Sequence, residues 1–93
     1  MTDVIKRNGM KEPFNMRKVR SSIEKAITDA GFTMTEKMKA IEHTTADVES
    51  LAENRNEIEV KEIRDEVIND LESEVPEAAQ KWRSYEKEHG IQW

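Results

Sequence analysis

Apolar residues return every three or four positions through most of this chain. Met16, Val19, Ile23, Ala26, Ile27 and Ala30 mark one face of a first helix, with Asn15 as its N-cap and Gly31 as its stop. Met34, Met38, Ile41, Val48, Leu51 and Ala52 carry the rhythm into a second helix, capped by Thr33 or Thr35 and ended by the polar Asn54-Arg55-Asn56 turn. Its middle, His43-Thr44-Thr45, is weaker and could kink. Ile58 and Val60 then alternate with Glu57 and Glu59, the period of a strand, before Ile63, Val67, Ile68 and Leu71 restore the helical period. A very short strand feeding a third helix is the natural parse. Pro76 suits the first turn of a fourth helix, where its missing N–H costs nothing; Ala78, Ala79, Trp82 and Tyr85 share a face, Gly90 ends it, and Ile91-Gln92-Trp93 trails beyond.

The start of the chain follows another rule. Asn8-Gly9 between short runs predicts a hairpin closed by a two-residue type I′ turn, because both central residues tolerate φ > 0. Residues 5–7 should then pair with residues 10–12. Strand alternation points Val4 and Lys6 one way and Ile5 and Arg7 the other, so each surface carries an aliphatic residue and a cation. With no repeat, low-complexity tract or linker, residues 1–93 read as a single α+β domain, a four-helix bundle under a small β-lid with a cleft beneath it.

The chain's 93 residues, 35% of them hydrophobic, support one modest core. Without cysteine there is no disulfide or thiolate site, and His43 and His89 lie too far apart in sequence to suggest zinc. No apolar run reaches the length of a membrane span and the N-terminus lacks a signal-peptide core, so a cytoplasmic location is expected. The net charge of −5 conceals an asymmetry: residues 1–30 hold seven Lys/Arg against four Asp/Glu, and residues 31–93 hold eight against sixteen. An acidic majority repels nucleic acid at long range, whereas a local basic cluster can still hold a small anion. A nucleotide fits this balance better than DNA.

Lys6 and Arg7 in the hairpin and Arg17 and Lys18 at the start of the first helix could converge on a phosphate, helped by the unsatisfied N–H groups of a helix N-terminus. As ordinary solvated residues they would mean nothing. Hydrogen bonds to charged groups contribute about 1.5–3 kcal/mol each, and micromolar binding needs about 8 kcal/mol, so a base must add burial to the phosphate contacts. Val4 offers an apolar surface for a purine, while Glu12 and Asn15 provide an acceptor and an amide that adenine would satisfy. The plainer alternatives are a cross-strand partner for Glu12 and a helix cap for Asn15. Trp82 and Tyr85 continue an apolar face and read as core, and His43 reads as surface. There is no Walker A pattern and no Ser or Cys nucleophile with a plausible His partner, so neither an enzyme nor nucleotide hydrolysis is expected.

Val4, Lys6, Arg7, Asn8, Gly9, Glu12, Pro13, Phe14, Asn15, Lys18 and Val19 fit the pattern V-x-K-R-(D/N)-G-x-x-E-P-F-(D/N)-x-x-K-(I/V). This stretch resembles the opening of the ATP-cone, the regulatory domain found at the front of ribonucleotide reductases and in a bacterial repressor of their genes. Residues 58–67 resemble the family's second landmark and the Trp82 to Tyr85 region its closing aromatic helix, so the likeness spans nearly the whole chain. The resemblance implies that the short strand joins the hairpin to make a three-stranded lid. It implies ATP or dATP as ligand, with Mg²⁺ accompanying the phosphates. Val4, Glu12 and Asn15 would meet the base, and Lys6, Arg7 and Lys18 the phosphates. Arg64 falls where relatives place a polar or basic group facing the phosphates, but could equally pair with Glu62 or Asp65. Lys87 could reach the site, although the family's basic residue does not align cleanly there, and Val60 replaces a hydroxyl borne by some relatives. A non-catalytic sensor follows, acting through homo-oligomerisation or a regulated partner such as a ribonucleotide reductase, with Met34, Met38 or Trp93 on the responsive face. The rivals are a small nucleic-acid-binding protein and a purely structural helical interaction module.

Overall fold

The computed structural model describes residues 2–90, so the expectation attached to Trp93 lies outside the described residues. Along the chain run β1 (Asp3–Ile5), β2 (Lys11–Pro13), α1 (Met16–Asp29), α2 (Met38–Glu53), β3 (Glu57–Glu59), α3 (Val60–Glu74) and α4 (Pro76–His89). The architecture is the expected α+β arrangement of four helices and a three-stranded sheet. In the sheet β1 is central, antiparallel to β2 and parallel to β3. Only a long crossover allows the parallel pairing, and here β2, α1 and α2 supply it.

The hairpin corrects the sequence reading in its register. Asp3, Val4 and Ile5 face Pro13, Glu12 and Lys11, one residue out of step with the expected pairing of 5–7 with 10–12. The cause is the loop. Gly9 alone takes a positive φ (85°), whereas Asn8 accepts a hydrogen bond from the Met10 N–H through Oδ1 (3.0 Å). The Gly9 N–H donates to the Lys6 carbonyl (2.9 Å) and the Lys6 N–H to the Met10 carbonyl (2.8 Å), closing a three-residue loop in place of the two-residue turn. A one-residue slip turns side chains to the opposite face. Glu12 would have stood opposite Ile5; it stands opposite Val4, in a row that continues to Ile58 on β3. Val4 and Ile58 are the buried residues of their strands, so this row faces the core and Glu12 sits at its open edge.

Beneath the sheet, α1 buries Val19, Ile23, Ala26 and Ile27, the stripe its periodicity predicts. On α3 Ile63, Val67, Ile68 and Leu71 are buried, and on α4 Ala78 and Ala79, with Trp82 packing partly against the core. Helix α2 departs from expectation at its start. Thr33 and Glu36 bond reciprocally (3.0 and 3.1 Å) in a turn before the helix, and Met34 and Met38 point outward. The suspected weak centre is continuous helix, with Thr44 and Thr45 both buried. Glu59 and Glu62 form a capping box at the start of α3, and the Arg55 guanidinium, then the Glu59 N–H, hold the Glu62 carboxyl below its usual range. The N-terminal strand is tied down where α2 ends: Thr2 Oγ1 lies 2.8 Å from the carbonyls of both Ala52 and Arg55, and the Asp3 N–H donates to Asn56 (2.9 Å). Among the described residues no helix is long and apolar enough to cross a membrane.

Candidate functional site

Pro13, Phe14 and Asn15 carry the chain from the hairpin straight into α1, which sets the helix N-terminus beside the lid. Asn15 is the expected N-cap: its Oδ1 accepts from the Arg17 N–H at 3.0 Å. Val4, Glu12, Phe14, Asn15, Lys18 and Ile63 line a recess of about 20 Å³ there, room for roughly one water molecule. The Glu12 carboxylate lies between two ammonium groups, with Oε2 3.4 Å from Lys6 Nζ and Oε1 3.7 Å from Lys18 Nζ. Both pairs are partly solvated, so each adds only about 0–1 kcal/mol to stability. Their interest lies in the convergence of cations from two elements at one helix start.

Of the eight residues singled out from the sequence, Val4, Lys6, Glu12, Asn15 and Lys18 come together here. Arg7 stands exposed in the turn, and Lys87 is exposed in the last turn of α4. Arg64 is engaged elsewhere: its Nε lies 2.8 Å from both oxygens of Glu86, and an Nη lies 2.9 Å from Asp65. Asp65 was one of its two expected partners; Glu62, the other, pairs with Arg55. Arg64 lines a separate open groove of about 640 Å³ with Glu62, Asp65, Glu72 and Arg83. Val60 is a buried first residue of α3. Phe14 and Ile63 are recess residues that the site reading passed over; Phe14 was visible as part of the hairpin exit, whereas Ile63 carried only the signal of a core position.

A second charge cluster was not anticipated. Carboxylate oxygens of Asp47 on α2 and of Glu66 and Asp70 on α3 lie within 4.8 Å of one another. Burial first, then the adjoining Asp47 and Glu66 carboxyls, push Asp70 up to about 8. Asp70 Oδ2 is buried with no hydrogen-bond donor meeting it among the described residues, and a proton on this carboxyl would let it donate to the neighbouring Asp47 or Glu66 carboxylate. None of these three residues lines the lid recess.

A search of curated proteins finds no match to the chain. Among family models, the one described as the ATP cone domain matches residues 2–91. ATP-cones are regulatory, non-catalytic domains that bind ATP or dATP. The matched span takes in the lid, the start of α1 and all four helices, and the chain belongs to the ATP-cone family.

Proposed function

We propose that this chain binds ATP or dATP between the lid and the start of α1, and that occupancy changes its association with itself or with a partner protein such as a ribonucleotide reductase. The observation that carries this reading is the meeting of Lys6 and Lys18 on one acidic side chain, beside buried Val4 and the Asn15 cap. Ammonium groups fit a polyphosphate, and an acceptor beside an amide and an aliphatic surface fits adenine. Lys6, Arg7 and Lys18 take the phosphates, with Mg²⁺ as their counter-ion, while Val4, Glu12 and Asn15 take the base. Arg64 contributes only by leaving Glu86, and Lys87 only by reaching in from the end of α4.

The recess of about 20 Å³ is too small for a purine, so binding must lift the lid or turn side chains outward. That movement is the source of a signal, since a ligand shifts an equilibrium only by its differential affinity for the two states. Exposed Met34, in the connection between α1 and α2, and Met38, the first residue of α2, provide adaptable apolar surface for an altered contact. The acidic balance of the chain disfavours nucleic acid as the partner. Calorimetric titration with ATP, dATP and GTP tests the assignment. Micromolar adenine-nucleotide binding that Lys6→Ala weakens supports it, and heats that are equal for wild type and variant remove the site.

A further inference from the structure

The two ammonium groups at the recess, those of Lys6 and Lys18, both pair with Glu12. Its register places it on the core-facing row of the sheet, beside Val4, with a side chain only 29% exposed. A carboxylate accepts hydrogen bonds and donates none, so in this position it needs cations or N–H groups around it. Lys6 and Lys18 fill that need, and in doing so they are the same cations a polyphosphate would require. Three groups therefore share one set of bonds, and an incoming anion competes with Glu12 for both lysines.

We propose that Glu12 is an internal stand-in for the phosphates and that binding is an exchange: the polyphosphate takes Lys6 and Lys18, and the released Glu12 carboxylate accepts the exocyclic amine of the purine. This rests on the adenine-nucleotide reading above and adds a selection rule to it. A bare polyphosphate captures the lysines but leaves a half-buried carboxylate without a donor, which is costly. A purine with a carbonyl in place of the amine presents an acceptor to an acceptor. Only a ligand carrying both a polyphosphate and an amine at the right place completes the exchange. The pairs being surrendered are partly solvated, so giving them up costs the chain little before the ligand's own contacts are counted.

The test is calorimetric titration of the full chain and of Glu12→Gln, an isosteric change, with ATP, ITP and inorganic tripolyphosphate, after melting curves establish that both proteins are folded. With the lysines released from their internal carboxylate, tripolyphosphate should bind the variant roughly 3- to 30-fold more tightly than it binds wild type. ATP should not share that gain. Preference for ATP over ITP should collapse, because a glutamine amide can face either an amine or a carbonyl. Unchanged tripolyphosphate affinity overturns the proposal, since Glu12 would not then be restraining the lysines. Parallel gains for all three ligands, with the ATP preference intact, also overturn it while leaving the nucleotide site in place. A wild-type chain that binds no ligand at millimolar concentration removes the site and the exchange together.

Discussion

The lid and the seam between α2 and α3 hold charge in opposite ways. At the lid one carboxylate, Glu12, is flanked by two lysines. On the seam Asp47, Glu66 and Asp70 crowd together, and one turn along His43 lies 3.8 Å from Asp47 and 3.0 Å from Glu74. Charges of the first kind can be traded for those of a ligand, because each partner has a substitute in solution. The second kind is relieved by a proton. The apolar contributions differ as well: the helices supply most of the core, whereas the sheet adds chiefly Val4 and Ile58. The lid's apolar attachment to the body is therefore concentrated in two side chains.

The sharpest way to break this contrast is to cut the attachment. Ile58 is 1% exposed and pairs with Val4 in the parallel register, so it belongs to lid and body at once. Ile58→Ala should cost about 2–5 kcal/mol in chemical denaturation. A loss well under 1 kcal/mol would mean that the sheet rests on the helices without sharing their core.

Next in size is the effect of Lys6→Ala on ligand affinity. Losing one charged hydrogen bond of about 1.5–3 kcal/mol should weaken ATP binding roughly 10- to 150-fold in titration. Its effect on folding should stay within about 1 kcal/mol, because the pair it makes is partly solvated. Equal losses of binding and stability would make the lid's charges structural, like those of the body.

The seam predicts a smaller effect with a definite sign. Asp70 is raised from 3.8 to about 8, so between these values the folded chain holds a proton that the unfolded chain has released. The stability from that proton is fully present below about pH 4 and is lost as pH rises through about 8. Asp70→Asn removes the dependence. Its advantage over wild type should grow from pH 5 to pH 9, reaching about 1–2 kcal/mol once solvent screening of a partly exposed group is allowed for. Parallel melting-temperature profiles for the two proteins would show that the seam carboxyls titrate normally.

The two regions were also unequally visible in the sequence. Helices α1 and α3 were legible from spacing alone because each buries a continuous stripe, as Val19, Ile23, Ala26 and Ile27 do on α1 and Ile63, Val67, Ile68 and Leu71 on α3. Lys6, Glu12, Asn15 and Lys18 were legible as neighbours because all four fall in the one stretch of chain that runs from the hairpin into α1, and local chain geometry brings them together. The register of the hairpin was not, because Asn8-Gly9 announces a turn without fixing its length; the choice rests on whether Asn8 adopts a positive φ or bonds Met10. The seam was invisible for a different reason. Asp47 lies far along the chain from Glu66 and Asp70 and meets them only when α2 and α3 are laid side by side, and the same holds for Arg64 and Glu86, whose pairing depends on how α3 and α4 pack.

Asn15 gives the smallest effect and separates fold from ligand most finely, since one side chain has two candidate roles. Its oxygen caps α1, and its amide nitrogen is what a purine acceptor would meet. Asn15→Ala removes both functions and should cost about 0.5–2 kcal/mol of stability, typically near 1. Asn15→Asp keeps the capping oxygen, favourable at a helix N-terminus, and deletes the amine. If the lid's polar residues serve the ligand, the aspartate variant should melt within a few degrees of wild type and yet bind ATP less well. If both variants lose stability and the aspartate variant binds ATP normally, Asn15 is a cap and no more, and base recognition passes to Val4 and Glu12 alone.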